Sequence, residues 1–523
     1  MAKKEKKEKR LEETLWDACC KLRGNMTSIE YMSFTLGLVF LKFATLKFNV
    51  RRQELLDNEE EKDFVEFPSF YTEKGVFFIP ENARYDHIKA HAKDNDIGIQ
   101  IDNAFQIIEN NNPELKGCLP IGKYGSATSS IPAEKFQALI TTLDGIHTDE
   151  NHPMDDLVGR VYEYFLNKFA IQSANEKGEF YTPDSIVSLI TELIEPYDGK
   201  IYDPCCGTGG MFVQSYKFVE AHKGNTDMVS IYGQEAIADT WKLAKMNLAI
   251  RGIACDLGEG WADTFDKDQH PTKKFEYIIA NPPFNLKGWR TENSLLKDPR
   301  WEGYGVPPVS NANYAWILHM LSKLSYNGVA GFLLANGALG ADGEEKKIRE
   351  QLIANDKVEA IIILPREMFY YTDISVTLWI MRSNKKATNK VVSGETRRVR
   401  SREGEILFMD LRTKGVYSDE GYKVLTQEEV DLVRNTYFNW QSPNYEELYQ
   451  DVPEFCKSVK KEDIVDSSLV PSKYIEFVDH DLEIDYEKEM TRIQSELKDL
   501  IKEEKESQEE LVKAFDGIGY GIK

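Results

Sequence analysis

A doubly wound, Rossmann-like α/β domain is predicted for the middle of this chain, flanked by a mainly helical N-terminal domain and a C-terminal helix. Three observations lead there. Apolar strand-like runs alternate with helical patterns from residue 155 to about 412, and several runs are continuously apolar, as strands covered on both faces are. A glycine-rich turn, Gly207-Thr208-Gly209-Gly210, follows one such run. Another, Ile278-Ile279-Ala280, ends in Asn281-Pro282-Pro283-Phe284.

Taken in chain order, residues 11 to about 165 read as mostly helical, with Leu11, Leu15, Ala18-Cys19 and Leu22 at helical spacing. Short strands are expected near Val76-Phe77-Phe78-Ile79, and a loop at Asn111-Asn112-Pro113. Thr182-Pro183 reads as a helix start, Thr182 as N-cap and Pro183 in the first turn, before the amphipathic run from Ile186 to Ile194. Expected strands are Ile201-Tyr202, Val229 to Tyr232, Tyr277 to Ala280, Val329 to Ala335, Ala360 to Leu364, Val376 to Met381 and Ile406 to Met409. The segment from Asn285 to Asn313, with Trp289, Trp301 and Tyr304, is long enough to be a functional loop, one that orders over a bound base. Boundaries follow: 1–160 helical, 161–415 the α/β domain, 416–480 its C-terminal extension, and 481–523 the terminal helix.

The chemistry of the Asn-Pro-Pro-Phe turn is legible, and it looks like the motif of methyltransferases that act on amino groups. An exocyclic amine on a planar ring needs acceptors for its hydrogens and a flat surface to grip the ring. Asn281 and the Pro282 carbonyl can accept, Phe284 can stack, and the prolines stiffen the loop without adding a competing N–H. An ordinary strand-ending turn has the same outline. Upstream, Asp203-Pro204-Cys205-Cys206 leads into the glycine turn, where a cofactor can approach the backbone. Glu235 closes the next strand, where such folds place the carboxylate that grips ribose hydroxyls. A nicotinamide or flavin site shares glycines and an acid. The loop, however, lacks the full dinucleotide fingerprint, and a dehydrogenase offers no reason for Asn-Pro-Pro-Phe. S-adenosylmethionine is the expected cofactor, cradled by Asp203, Gly207, Thr208, Gly209, Gly210 and Glu235. The residues before the amphipathic helix, Glu179, Phe180, Tyr181, Thr182, Pro183 and Asp184, could pack against its methionine end, or staple the helix to the core.

In this order the motifs resemble the N6-adenine DNA methyltransferases, and the surrounding text resembles the modification (M) subunit of type I restriction-modification systems. Leu22-Arg23-Gly24, Glu30-Tyr31-Met32 and the run Phe34 to Phe43 resemble that family's helical N-terminal domain. Tyr304-Gly305-Val306-Pro307-Pro308, Ser310-Asn311-Ala312-Asn313-Tyr314-Ala315-Trp316 and Gly331 to Gly337 resemble its segments after the catalytic loop. The likeness spans nearly the whole chain. It implies methyl transfer to adenine N6 in flipped-out DNA, with Asn281, Pro282, Pro283 and Phe284 at the reacting centre and Asp263 bonding the cofactor's adenine amine. It also implies a separate specificity (S) subunit that recognises the target and docks the C-terminal helix, a second copy of the M subunit, and a translocating restriction (R) subunit for cleavage. Two rivals stay open: another amino acceptor, cytosine N4 or a protein glutamine, and an idle scaffold subunit.

Composition agrees with a divided labour. The net charge of −22, from 65 basic and 87 acidic residues, argues against a chain that grips a long DNA backbone alone. The basic cluster Arg397-Arg398-Val399-Arg400-Ser401-Arg402 reads as a solvated hairpin ahead of a phosphate contact. Seven cysteines and eight histidines show neither a disulfide framework nor metal spacing, so no metal is expected; Cys205 and Cys206 read as small fillers. No apolar stretch reaches the ~20 residues of a membrane helix. The charged start is followed by no apolar leader, which points to a cytoplasmic protein that avoids membranes.

Overall fold

The structure, a computed structural model, describes residues 28–125, 133–144, 161–166, 182–222, 224–369, 373–392, 395–418, 421–478 and 486–517, with a few isolated positions besides. Two compact units emerge, Met1–Ile475 and Glu476–Lys523, each described by itself. The helical spacing expected between Leu11 and Leu22 lies outside the described residues.

The first unit opens on a buried helix, α1 (Ser28–Asp57), whose Phe34, Leu36, Leu38 to Leu41, Phe43 and Phe48 are all inaccessible. A helix apolar on every side belongs inside a core. Its Lys42 is tolerated because the ammonium lies 3.4 Å from Asp144 and 4.5 Å above the Tyr85 ring. Among the described residues no helix is long and apolar enough to cross a membrane. Helices α2 (Ile97–Asn111) and α3 (Ala133–Asp144) pack into the same cluster. Residues 76–79, expected as a strand, form none: the buried Asn112 amide takes the place of a neighbouring strand. Asn112 Oδ1 accepts from the Phe78 N–H at 2.9 Å, and its Nδ2 donates to the Phe78 carbonyl at 2.9 Å. A side-chain amide reproduces a ladder rung, so the residue pattern looks strand-like without a sheet.

Next comes α4 (Asp184–Ile194), then strands β1 (Gly199–Asp203), β2 (Val229–Gly233), β3 (Cys255–Asp256), β4 (Phe275–Ala280), β5 (Leu324–Ala335), β6 (Val358–Ile363) and β7 (Val376–Arg382). After these follow β8 (Thr388–Val392), β9 (Glu395–Val399), β10 (Glu405–Asp410), β11 (Val416–Tyr417), β12 (Lys423–Val424) and β13 (Cys456–Lys460). Nine of them make one sheet in the order β13-β10-β6-β7-β5-β4-β1-β2-β3. All seven expected strands are in it. Pairings are parallel except where β7 runs between β5 and β6 and where β13 closes an edge beside β10. Alternate residues feed two cores: Ile201, Ile279, Leu333 and Leu378 one, and Tyr202, Ile278, Phe332 and Trp379 the other. Helices α5 (Gly210–Ala221), α6 (Ala238–Ala249), α7 (Asn313–Lys323), α8 (Glu344–Ala354) and α9 (Gln427–Gln441) complete the layers.

The basic cluster departs from expectation. A hairpin it is, β8 against β9, with Arg398 exposed as expected, but Arg397, Arg400 and Arg402 turn toward acids of the fold. Arg397 grips both oxygens of Glu195, Arg400 holds Glu405 at 2.7 and 2.8 Å, and Arg402 is buried against Glu359. Glu359 also accepts from Tyr437, Gln441 and Arg382. Burial pushes its carboxyl up, yet the guanidiniums of Arg402 and Arg382 outweigh burial and hold it at about 2. Buried acids recruit the arginines, because an unpaired charge inside costs more than any exposed contact returns.

The second unit contains α10 (Tyr486–Gly517), whose Met490, Ile493, Leu497, Leu500, Leu511 and Phe515 are exposed.

Candidate active site

Strands β1 and β4 are parallel neighbours, Ile201 beside Tyr277 and Tyr202 beside Ile278, so the turns after Asp203 and after Ala280 leave the sheet side by side. Chain connections run outward in opposite directions from this pair, and open α/β sheets bind ligands at such a switch point.

The turn after β1 is held by its own backbone. Asp203 Oδ1 accepts from the Cys205 N–H at 2.9 Å, and the Gln234 N–H donates to the Asp203 carbonyl at 3.0 Å. Gly207 and Gly209 take φ of +55° and +78°, a region closed to most side chains. A Cβ on Gly207 would meet nothing within 4 Å. That clearance lets a ligand reach the backbone. Glu235, at the end of β2, accepts from the Gly207 N–H at 3.0 Å and the Ile237 N–H at 2.8 Å. Burial pushes the Asp203 carboxyl up to about 7, with Glu235 adding in the same direction, and burial also raises the Cys206 thiol well above its usual range. A thiol so placed is an inert filler.

Around this cradle stand residues that sequence reasoning passed over. Gln234 is fully buried and donates to the Lys267 carbonyl at 2.6 Å, Thr264 Oγ1 donates to the Pro204 carbonyl at 2.5 Å, and Asn247 Nδ2 donates to the Thr208 carbonyl at 2.7 Å. Only chain neighbours could have flagged them, and those read as strand end, loop and helix. Asp263 is exposed; its Oδ1 accepts from the Phe265 N–H at 2.7 Å and the Asp266 N–H at 3.2 Å. The Ala262 N–H donates to the Glu235 carbonyl at 2.8 Å, which brings that turn against the end of β2.

At the end of β4, Asn281 Nδ2 donates to Thr182 Oγ1 at 2.8 Å, across 99 residues of sequence. Its Oδ1 is buried and has no hydrogen-bond partner among the described residues. Thr182 therefore does not serve as the N-cap: Pro183, at φ −59° and ψ 143°, occupies that position without a side-chain cap, and α4 begins at Asp184. The hydroxyl is spent on Asn281 instead. Glu179, Phe180 and Tyr181 lie outside the described residues. Phe284 is half-buried and meets Phe369 edge-on, centroids 6.3 Å apart at 90°.

Beyond Phe284 the chain is clamped. Asn285, at φ +53°, donates its N–H to Asn313 Oδ1 at 3.0 Å and accepts from Asn313 Nδ2 at 2.9 Å, which pins the motif to the start of α7. The long loop to Asn313 has a core of its own, unlike the loop expected to order later. Trp289 and Trp301 are buried, and their indole N–H groups donate to the carbonyls of Pro308 and Leu295, each at 2.8 Å. Arg300 spans Asp298 and the Phe265 carbonyl. With both indoles and the Arg300 guanidinium hydrogen-bonded, the loop is folded in this structure.

A doubly wound sheet with a glycine cradle on one switch-point strand and an amide, two prolines and an aromatic ring on the next defines a class, a methyltransferase directed at an amino group. Comparison with known proteins agrees. The N-6 DNA Methylase family matches residues 153–481, and the HsdM N-terminal domain matches residues 11–143. The HindI methylase subunit of a type I restriction enzyme from Haemophilus influenzae is 39% identical over 433 residues, 80% of this chain and 92% of that protein. The MjaIX methylase subunit of Methanocaldococcus jannaschii is 32% identical over 97% of this chain and 91% of its own length. The crystal structure of a type I restriction-modification methyltransferase subunit from Streptococcus thermophilus shares the fold at a TM-score of 0.72 and 23% identity, covering 89% of this chain and 99% of that one. The chain belongs to the N-6 DNA methylase family, as a methylase subunit of the type I restriction enzymes. It is an adenine-specific DNA methyltransferase.

Proposed function

We propose that the two turns form one site in which S-adenosylmethionine lies over the glycine cradle and adenine N6 is held by the Asn-Pro-Pro-Phe turn. The observation that carries this reading is the buried Asn281 Oδ1, fixed by Thr182 and without a partner among the described residues. A buried acceptor left unmade costs about 1–3 kcal/mol, and an exocyclic amine would relieve that cost.

The donor set suits the cofactor, and the space beside Gly207 is open. Glu235 would take the ribose hydroxyls and Asp203 the cationic methionine end. Gly207, Thr208, Gly209 and Gly210 offer backbone at close range, and Asp263 would face the adenine. Thr182, Pro183 and Asp184, with Glu179, Phe180 and Tyr181 before them, would line the methionine side. Bound S-adenosylmethionine supplies a methyl group on a good leaving group, so the chain's own task is orientation and exclusion of water. Adenine inside a duplex cannot present N6 and must be flipped out. Phe284 then stacks on the base, and Asn281 Oδ1 with the Pro282 carbonyl accepts the two amine hydrogens, which turns the nitrogen lone pair toward the methyl group. Pro283 keeps the turn rigid.

Residues 1–160 would position DNA or a partner, 161–415 would carry catalysis with the extension 416–480, and 481–523 would dock a specificity subunit through the exposed stripe of α10. A second copy of this chain and a restriction subunit would complete the assembly, with little DNA bound by this acidic chain alone.

The test is co-expression with a specificity subunit, followed by single-molecule sequencing of host DNA for N6-methyladenine, with Asn281→Ala as control. A bipartite methylated motif that vanishes in the variant is expected. An unmarked genome despite a stable complex overturns the reading.

A further inference from the structure

Helix α6 presents two apolar stripes at helical spacing, and they enter different cores. Leu243, Met246 and Ile250 join the N-terminal cluster, while Trp241, Ala244 and Leu248 join the core of the sheet. N-terminal lysines hold it at both ends. Lys123 lies 3.8 Å from Asp239 in its first turn, and Lys47 Nζ donates to the Ile250 carbonyl at 3.1 Å, where a cation suits the helix terminus. Between the stripes sits Asn247, 2% exposed, whose amide donates to the Thr208 carbonyl inside the glycine turn. Arg251 donates to the Asn247 carbonyl at 3.0 Å and to its side-chain oxygen. Arg251 in turn faces Glu163, at 3.8 Å, on the segment 161–166 that ends the N-terminal core, and Glu163 also takes Lys217 of α5 at 2.9 Å. A small gap, with room for about one water, lies among Glu163, Leu166, Thr208, Val213, Asn247 and Arg251, so segment 161–166 and the turn are close without being packed solid.

From this geometry we propose that α6 is a lever by which the N-terminal region sets the shape of the glycine turn, and so the affinity for cofactor, with Asn247 as its positioning residue. The proposal rests on the reading that this turn holds S-adenosylmethionine. Asn247 fixes a carbonyl of the turn from behind and touches no reacting atom. A shift of the N-terminal core therefore reaches the cofactor through one helix, and bound cofactor reports back to the N-terminal region with the same coupling free energy.

The test titrates S-adenosylmethionine onto the full-length chain and measures kcat at saturating cofactor in the complex with its specificity subunit. Losing one neutral hydrogen bond corresponds to a few-fold to about tenfold change, so Asn247→Ala is expected to raise Kd about tenfold while kcat stays within about twofold. Glu163→Ala, on segment 161–166, whose Val161, Tyr162 and Phe165 belong to the N-terminal core, is expected to raise Kd about threefold with kcat unchanged. Should Asn247→Ala not fold, Glu163→Ala carries the test. Wild-type protein that binds no S-adenosylmethionine refutes the cofactor reading itself. Binding by wild type with unchanged Kd in both variants sinks the lever alone, as does a fall in kcat without a change in Kd. An effect of Asn247→Ala with none from Glu163→Ala confines the device to the helix and removes the N-terminal region from it.

Discussion

The two halves of the site are built on opposite terms. On the glycine side, Asp203 holds Cys205, Glu235 holds Gly207 and Ile237, and Asn247 holds Thr208, so the turn keeps its shape with groups it already has. On the Asn-Pro-Pro-Phe side, Asn281 is anchored through Nδ2 and its Oδ1 is buried and, among the described residues, unpaired. One half is closed upon itself; the other carries a debt that only a visiting donor settles. Binding and chemistry should therefore separate by mutation, because the half that is complete can fail without the half that waits.

Four experiments would sharpen or break that contrast. Asn281→Ala should lower kcat by about 10²–10³, the range for removing one preorganised polar contact at a reacting centre, while cofactor Kd holds in calorimetry. Equal loss of both would abolish the distinction. Glu235→Ala should do the reverse: two backbone N–H groups lose a charged acceptor, and cofactor Kd should rise about 10–100-fold with the methyl-transfer step largely retained at saturation. Thr182→Val removes only the anchor of the Asn281 amide, and methyl incorporation should slow by about fivefold, one ordinary hydrogen bond.

The smallest effect is on stability. Burial raises the Asp203 carboxyl to about 7 in the folded chain, above its unfolded value. The folded state then binds the proton more tightly, so this group's contribution is fully present below the unfolded pKa, around 4, and is lost as pH rises through about 7. Between about pH 5 and 8, wild-type Tm should fall more steeply than that of Asp203→Asn. Parallel curves would mean that Asp203 titrates normally.

The sheet was largely legible because its strands are buried on both faces and read as unbroken apolar runs. Two strands escaped. Cys255–Asp256 is too short to show a period, and Cys456-Lys457-Ser458-Val459-Lys460 alternates polar residues as an edge strand does. Patterns with long-range partners misled. Val76 to Ile79 looked like a strand because Asn112 supplies the rung, Thr182 looked like a cap because its link to Asn281 spans 99 residues, and Arg397, Arg400 and Arg402 looked solvated because Glu195, Glu359 and Glu405 are distant or unremarkable in sequence. At the site, the glycines and the Asn-Pro-Pro-Phe run were visible since each carries its chemistry locally. Gln234, Asn247 and Thr264, which brace the cradle, could not be seen, because an amide or hydroxyl says nothing of its partner until the chain is folded.

The inward-facing arginines have a bearing on salt. DNA affinity weakens with ionic strength in proportion to the phosphates neutralised, since each one displaced frees condensed counterions. Arg397, Arg400 and Arg402 are already matched with carboxylates inside the fold, so they have no charge to lend to a duplex. Raising ionic strength should therefore loosen DNA from an assembly containing this chain with a slope to which these three arginines add nothing.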